Sequence, residues 1–373
     1  MSRRLTVVQL LPQLDVGGVE RGTVQIAQAL VAAGHRAIVI SAGGRLVPEL
    51  DVGGAEHVRL AIGDKRLASL RHIGTLRDYL RANQVDVVHA RSRLPAWLGW
   101  LALRGLGPLK PAWLTTVHGP YSVNAYSRIM VSGERVIAIS EFIRRYITNN
   151  YPKVDTTRIV VIPRGVDRAE YAYGFQAAAS WLAAWQAAHP ALAGRRLLIL
   201  PARLTRWKGQ LDFIEVMALL RRRGLAVHGL IAGAAHPHKR AFENELRGRV
   251  AALGLNEDVS FLGQRNDLRE LLSLASIACS LTTEPEAFGR TTIEALSVGT
   301  PVVGYDYGGT GEILRAVYPQ GLIGRSDIHG AADRIASLLA APVAVPPSHP
   351  YTVEAMQQAT LAVYAELAQR GPV

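Results

Sequence analysis

The chain has 373 residues, of which 49% are hydrophobic and 19% charged, and its formal net charge is +12. At roughly 150 residues per domain this predicts two or three domains with sizeable cores, and it excludes a disordered chain. The single cysteine, Cys279, excludes an intrachain disulfide and a thiolate zinc cage, and fits a reducing cytoplasm. The apolar segment Leu5–Leu11 is too short for a signal-peptide core, and no run of about 18 apolar residues argues for a spanning helix.

The charge is uneven. Residues 1–165 hold 22 basic and 11 acidic side chains, whereas residues 166–373 hold 20 and 19. An excess confined to the first half suggests an anionic partner for it: nucleic acid, an anionic membrane or a phosphorylated substrate. A general preference for surface arginine is the plainer alternative.

Taken in order, Leu5–Leu11 reads as a buried strand broken by Gly17-Gly18. Val19–Ala33 has helical spacing, and Arg36–Ser41 is a second strand. The strand rhythm returns at Val85–His89, Trp113–His118, Val136–Ile139 and Ile159–Ile162. Apolar runs bounded by glycine and alternating with helices imply a parallel sheet covered on both faces. Asp167–Gly194 reads as a helical connector. The pattern then restarts with strands at Arg196–Ala202, Val227–Gly233, Val259–Leu262, Ile277–Leu281 and Pro301–Tyr305. Helices are expected at Gly209–Arg223, Arg240–Leu253, Asp267–Ala275 and Arg290–Val298, and a final one at Thr352–Gln369. The fold class is therefore α/β, with two doubly wound Rossmann-like domains. Ligands of such sheets bind at the carboxyl ends of the strands, so a central cleft faced by both domains is the expected site.

Three segments carry chemistry. Gly17-Gly18-Val19-Glu20-Arg21 joins a strand to a helix, where bare N–H groups can meet an anion. It lacks the third glycine of a dinucleotide fingerprint and the Gly-Lys-Ser/Thr of a Walker loop. Arg203 and Lys208, with Arg206 between them, follow a strand and precede a helix, where cations can neutralise a diphosphate. In the segment from Glu284 to Glu294, Glu286 precedes a helix and Glu294 lies two turns along it. Carboxylates accept hydrogen bonds from vicinal hydroxyls, as in sugars and ribose. Phe288, Gly289, Arg290 and Thr291 between them place N–H groups at a helix mouth.

In order, Gly17-Gly18, Arg203…Lys208, Glu286…Glu294 and Gly308-Gly309…Glu312 resemble the motifs of the retaining family 4 glycosyltransferases, which have the two-domain GT-B fold. Val88-His89, Val117-His118-Gly119, Ala138-Ile139-Ser140 and Ile162–Asp167 sit where the family has similar fragments. The resemblance covers essentially the whole chain. It implies an acceptor-binding domain, 1–167, and a nucleotide-sugar domain, 168–350. The final helical segment, 351–373, could pack back on the N-terminal domain. Arg203 and Lys208 would hold the diphosphate with Gly18, Gly289, Arg290 and Thr291. Glu294 would bind the ribose, Glu286 and His118 would meet the sugar, and the base would lie near Gln264 and Leu268. Catalysis would thus rest on His118, Arg203, Lys208 and Glu286. No metal or other cofactor is implied, and His35, His228, His236 and His238 form no metal-ligand pattern.

Several fragments, including His89–Trp97, Thr205–Gly209 and Pro285–Arg290, resemble the branch that builds lipopolysaccharide core or related cell-surface glycans. They imply a UDP-linked hexose donor, an anionic glycolipid acceptor and a place on the cytoplasmic face of the inner membrane. Glu20, Arg21, Arg91 and Arg93 are acceptor-side candidates. Arg91 and Arg93, with Arg66, Arg71, Arg77 and Arg81, could meet phosphates or anionic lipid headgroups. Trp97 and Trp100 could dip into the interface, although a buried helix is the preferred reading. The family often has Asn where Arg164 stands and His where Arg91 stands. A sugar-nucleotide epimerase of the same fold is the nearest alternative. A basic nucleic-acid-binding protein is the next, although no aromatic–basic platform supports it and no nucleic-acid partner is expected.

Overall fold

The computed structural model describes residues 3–369 except 16, 65–66 and 236–239. Arg66, His236 and His238 therefore lie outside the described residues. The chain divides into two compact units, Met1–Gly165 with Val353–Val373, and Val166–Thr352.

The first unit contains β1 (Thr6–Leu10), α1 (Gly18–Ala32), β2 (Arg36–Ser41), α2 (Val47–Val52), β3 (Glu56–Arg59), α3 (His72–Ala82), β4 (Val87–Ala90), α4 (Arg93–Leu103), β5 (Ala112–Val117), β6 (Arg135–Ala138), α5 (Glu141–Asn150) and β7 (Ile159–Val161). Its sheet runs β3-β2-β1-β4-β5-β6-β7 and every pairing is parallel. β1, β2, β4 and β5 are almost wholly buried, so they read as unbroken apolar runs. β3 was not expected. It is an edge strand with exposed Glu56 and Arg59, and such charges protect an edge while hiding it from an apolar-run search. Helix α5 starts at Ser140, whose hydroxyl accepts the Ile143 N–H at 3.1 Å, and buries Ile143 and Ile147.

The second unit contains α6 (Ala179–Ala188), β8 (Arg196–Pro201), α7 (Gln210–Arg222), β9 (Val227–Ala232), α8 (Ala241–Ala252), β10 (Val259–Gly263), α9 (Leu268–Leu274), β11 (Ile277–Ser280), α10 (Arg290–Val298), β12 (Val302–Tyr305), α11 (Gly308–Val317), β13 (Leu322–Ile323) and α12 (Ile328–Ala340). Its sheet runs β10-β9-β8-β11-β12-β13, again all parallel. The connector is less helical than expected, since only Ala179–Ala188 forms a helix of its 167–194 span apart from one short turn. Trp181 and Trp185 stack there at 5.6 Å, and the Trp181 indole donates to Asp267 at 2.9 Å.

The last helix, α13 (Val353–Gln369), belongs to the first unit. Met356, Val363, Tyr364 and Leu367 join the same apolar core as Val7, Ile26 and Val87. Each such side chain contributes about 1.5–3 kcal/mol by burial. Tyr364 also bonds the buried His89 Nδ1 at 2.7 Å, while His89 Nε2 meets Thr116 Oγ1 at 2.6 Å.

Candidate functional site

In a doubly wound sheet the loops diverge where the strand order reverses, which opens a crevice at the carboxyl edge. In the second unit that point lies between β8 and β11. The loop after β8 carries Arg203 and Lys208, and the loop after β11 carries Glu286. Lys208 Nζ forms an ion pair with Glu286 Oε1, their side chains being 17% and 11% exposed. The ammonium also sits 4.3 Å from the centre of the Trp207 ring. The Thr283 N–H donates to the Trp207 carbonyl at 2.9 Å, which laces the two loops together. Arg203 is exposed, and the buried Gln210 amide holds its carbonyl at 2.9 Å. Arg206, expected as a third cation of the cluster, turns away. It pairs with Glu245 and stacks on Phe242 at 5.1 Å.

The Glu286 loop leads into α10. Gly289 precedes that helix in the left-handed conformation, φ 95°, and no side chain caps the first turn. The leading N–H groups, including those of Arg290 and Thr291, thus have the uncapped arrangement in which a helix start can accept an anion. Glu294 is buried one turn into α10, not two turns as expected, because the helix starts only at Arg290, and it accepts a bond from Arg290 Nε at 2.6 Å. Partial enclosure of Arg290, whose side chain is still 45% exposed, disfavours its charge, but Glu294 outweighs that and the guanidinium pKa rises. Gly308 and Gly309 support this loop from below. The Gly309 N–H donates to the Glu286 carbonyl at 2.8 Å, and a Cβ on Gly309 would lie 2.2 Å from the Phe288 carbonyl. Neither glycine was assigned that supporting role from sequence. Gln264 is exposed and Leu268 half-buried beyond the end of β10, two strands from β8.

In the first unit α1 begins at Gly18, again with no side-chain cap. A Cβ on Gly17 would meet the Glu20 carboxylate at 2.3 Å, so glycine there lets Glu20 fold back over the helix start. Arg21 is exposed on the first turn. Arg91 departs from its expected role as a cation facing headgroups. It is only 3% exposed, because its guanidinium is drawn in to Gln9 Oε1 at 2.8 Å. Burial lowers its pKa to about 10. Arg91 and Arg164 press on α1 at Gly22, where a Cβ would lie 2.1 Å from Arg164 Nη1. Gln9 and Gly22 escaped the sequence reading because a buried polar residue and a helix glycine look like ordinary structure. Arg93 is sandwiched near Tyr121 and Tyr126, 5.0 and 5.4 Å from their ring centres.

His118 follows β5. Its Nδ1 lies 2.8 Å from Arg164 Nη2, and a guanidinium can only donate, so Nδ1 accepts and the proton sits on Nε2. Nε2 is buried and has no partner among the described residues. Burial first, then Arg164, Arg91 and His89, hold the ring's pKa well below 6.5. His89 is held down likewise by burial and the same two arginines. Below pH 6.5 the unfolded chain binds protons at these rings that the folded chain refuses. Stability of the first unit should therefore fall as pH drops through that region, by up to about 1.4 kcal/mol per pH unit for fully buried His89. Carboxylates held low, such as Glu56 beside Arg36, act only below 4.5. Urea unfolding above and below pH 6.5 checks this; a flat profile down to pH 4.5 contradicts it.

The tryptophans are neither core nor free. Trp97 and Trp100 are half-buried, with the Trp97 indole donating to the Tyr126 carbonyl at 2.9 Å and Arg104 stacked on Trp100 at 4.9 Å. The buried residues of α4 include Ala96, Leu98, Ala102 and Leu103, and the two tryptophans lie at the margin of that buried stripe. Arg71 and Arg81 are exposed, whereas Arg77 is half-buried against Gly105. Among the described residues no group of three His, Cys, Asp or Glu side chains clusters as a metal site. His35 Nδ1 accepts the Leu5 N–H at 3.3 Å, and His228 bonds Ser260 at 2.9 Å. Among the same residues no helix is long and apolar enough to cross a membrane.

Comparison with known proteins assigns the two halves separately. Residues 16–170 match Glycosyltransferase Family 4, and residues 183–357 match Glycosyl transferases group 1. A glycosyltransferase of Rickettsia africae ESF-5 has a similar structure, with a TM-score of 0.84, 28% identity and 98% of each chain covered. HepE of Anabaena, solved with UDP and glucose, has the same fold at 21% identity, with a TM-score of 0.73 and 98% of each chain covered. The lipopolysaccharide core biosynthesis mannosyltransferase LpcC of Rhizobium leguminosarum bv. viciae is 28% identical over 49% of this chain and 50% of its own. The chain spans less than two thirds of the length of the curated relatives it matches. The first unit thus matches the Family 4 model and the second the group 1 model, and the two parallel α/β units have the GT-B-like fold of these glycosyltransferase structures.

Proposed function

We propose that the protein transfers a hexose, with retention, from a UDP-linked donor to the lipopolysaccharide core or another lipid-linked cell-surface glycan. The observation that carries this reading is the second unit's switch point. There an ion-paired lysine and glutamate stand beside an uncapped helix start with a nearly buried carboxylate one turn in. Departure of a nucleoside diphosphate builds negative charge on phosphate oxygens. Lys208 and the α10 N–H groups are fixed donors for that charge, Arg203 adds an exposed cation beside them, and the preorganised donors favour the transition state over the ground state. In this reading they serve in place of a metal ion. Glu294 accepts the ribose hydroxyls and Glu286 the sugar hydroxyls. Neutral His118 offers its Nε2–H as a donor to the sugar. UDP is favoured by the ligand named for HepE, and the acceptor by LpcC and by the excess of positive charge in residues 1–165. The same charge supports a place at the cytoplasmic face of a membrane.

The test is thermal stabilisation by a panel of UDP-, GDP- and ADP-sugars. A ligand of the folded state at a hundred times its Kd adds about 2.7 kcal/mol. A UDP-hexose should raise the unfolding temperature most. No shift with any sugar nucleotide at millimolar concentration would sink the donor-site reading.

A further inference from the structure

Away from both switch points, the first unit contains a pocket of about 420 Å³. It is bounded by the turn Ser127–Val131, the end of α5 and the segment 150–158. These segments lead into β6 and β7, so the pocket opens at the amino edge of the sheet, whereas α1 starts at the carboxyl edge. A molecule bound here is separated by the length of the strands from any reaction at the carboxyl edge. It would anchor or regulate rather than react.

The pocket has two chemistries. Val131 and Tyr151 are buried in its wall and Val154 is half-buried, giving an apolar floor of the kind that takes a hydrocarbon chain. Arg128, Lys153 and Arg158 stand exposed around it. Arg128 and Lys153 have no carboxylate partner among the described residues, and Arg158 has only Asp155 at 3.5 Å. Asp155 is itself engaged by the Thr157 N–H and hydroxyl, at 3.0 and 2.7 Å. The carboxyl end of α5 adds about half a negative charge. Three cations against these leave the mouth net positive.

We propose that this pocket binds an anionic membrane phospholipid, with its phosphate held by Arg128, Lys153 and Arg158 and part of an acyl chain against Val131, Tyr151 and Val154. The inference does not depend on the donor-site reading, because no residue is shared with it.

Short-chain dihexanoyl phosphatidylglycerol, kept monomeric, tests it by calorimetric titration of the whole chain. The buried Trp113 gives a second readout, since its indole donates to Ser132 Oγ on the pocket wall at 3.0 Å. Saturable binding is expected, weaker by about tenfold or more for Arg128→Glu with Lys153→Glu, since each basic side chain near an anionic surface matters by about a factor of five. Val154→Asp leaves the cations in place and should abolish binding by charging the floor. Circular dichroism verifies that the variants fold. Dihexanoyl phosphatidylcholine and glycerol 3-phosphate should both bind at least about tenfold more weakly. Equal binding by the choline lipid, whose quaternary ammonium offsets the same phosphate diester, overturns the choice of a net anionic headgroup. Equal binding by glycerol 3-phosphate overturns the acyl seat and leaves a free-phosphate site. No binding of the phosphatidylglycerol, or binding unchanged in folded variants, overturns the proposal outright.

Discussion

A Lys208→Ala variant should lose about 10²–10³-fold in kcat/KM for sugar transfer, the usual effect of deleting one preorganised donor to developing negative charge. The loss should fall mainly on kcat, because the phosphate charge grows as the sugar departs. Two features make Lys208 the most sensitive position. Its ammonium is mostly buried, where charge interactions are stronger than in water, and its only carboxylate partner among the described residues is Glu286. Removing it also leaves the Glu286 carboxylate mostly buried and unpaired, so that side chain would be displaced. Arg206→Ala is the matched control. Arg206 lies two residues away but is exposed and engaged by Glu245, and an exposed pair contributes about 0–1 kcal/mol. Its kcat/KM should stay within about threefold of wild type on that scale. Release of nucleoside diphosphate under single-turnover and steady-state conditions separates chemistry from binding. If Lys208→Ala and Arg206→Ala behave alike, the switch-point pair is not the catalytic centre.

The strands were legible because parallel sheets bury both faces, so Val7, Val8, Ile38–Ile40 and Leu198–Leu200 announce themselves as apolar runs. What stayed hidden has physical reasons. β3 keeps charged residues on an edge, and β13 is only two residues long. In the second unit the chemistry-bearing side chains could be named, since Gly289, Arg290 and Glu294 follow a helix-mouth grammar. The direct pairing of Lys208 with Glu286 could not, because 78 residues separate them and only the strand order β8-β11 brings their loops together. Arg91 was the instructive error. Its charge suggested a solvated contact, but sequence carries no measure of depth, and Gln9 supplies the buried acceptor that draws it inward. The same limit hid Arg164, whose bond to His118 fixes the ring's proton on Nε2.

Gly209→Ala should destabilise the second unit by about 3 kcal/mol, the combined effect of a left-handed backbone and a steric collision. Gly209 sits at φ 80° and ψ 17°, between Lys208 and α7. A Cβ there would stand 1.9 Å from the Leu281 carbonyl oxygen and 2.4 Å from its carbon, where the chain leaves β11. Both atoms are backbone, so neither can swing aside as a side chain would. Relief requires the β8 loop and the β11 loop to separate, and those loops hold Lys208 and Glu286. At roughly 2–4 °C per kcal/mol for a unit of this size, the transition should fall by about 6–12 °C. Gly224 provides the comparison that isolates the cause. It has nearly the same left-handed φ, 73°, but a Cβ there meets nothing within 4 Å. Gly224→Ala should therefore show only the backbone part, about 1–2 kcal/mol, and leave sugar-nucleotide affinity unchanged. Gly209→Ala should weaken that affinity even at temperatures where the protein remains folded. Calorimetric unfolding and nucleotide titration of both variants decide the matter. Equal losses at the two glycines would mean that the conformation alone matters, and that the close approach of the two loops is not what holds the ion pair in place.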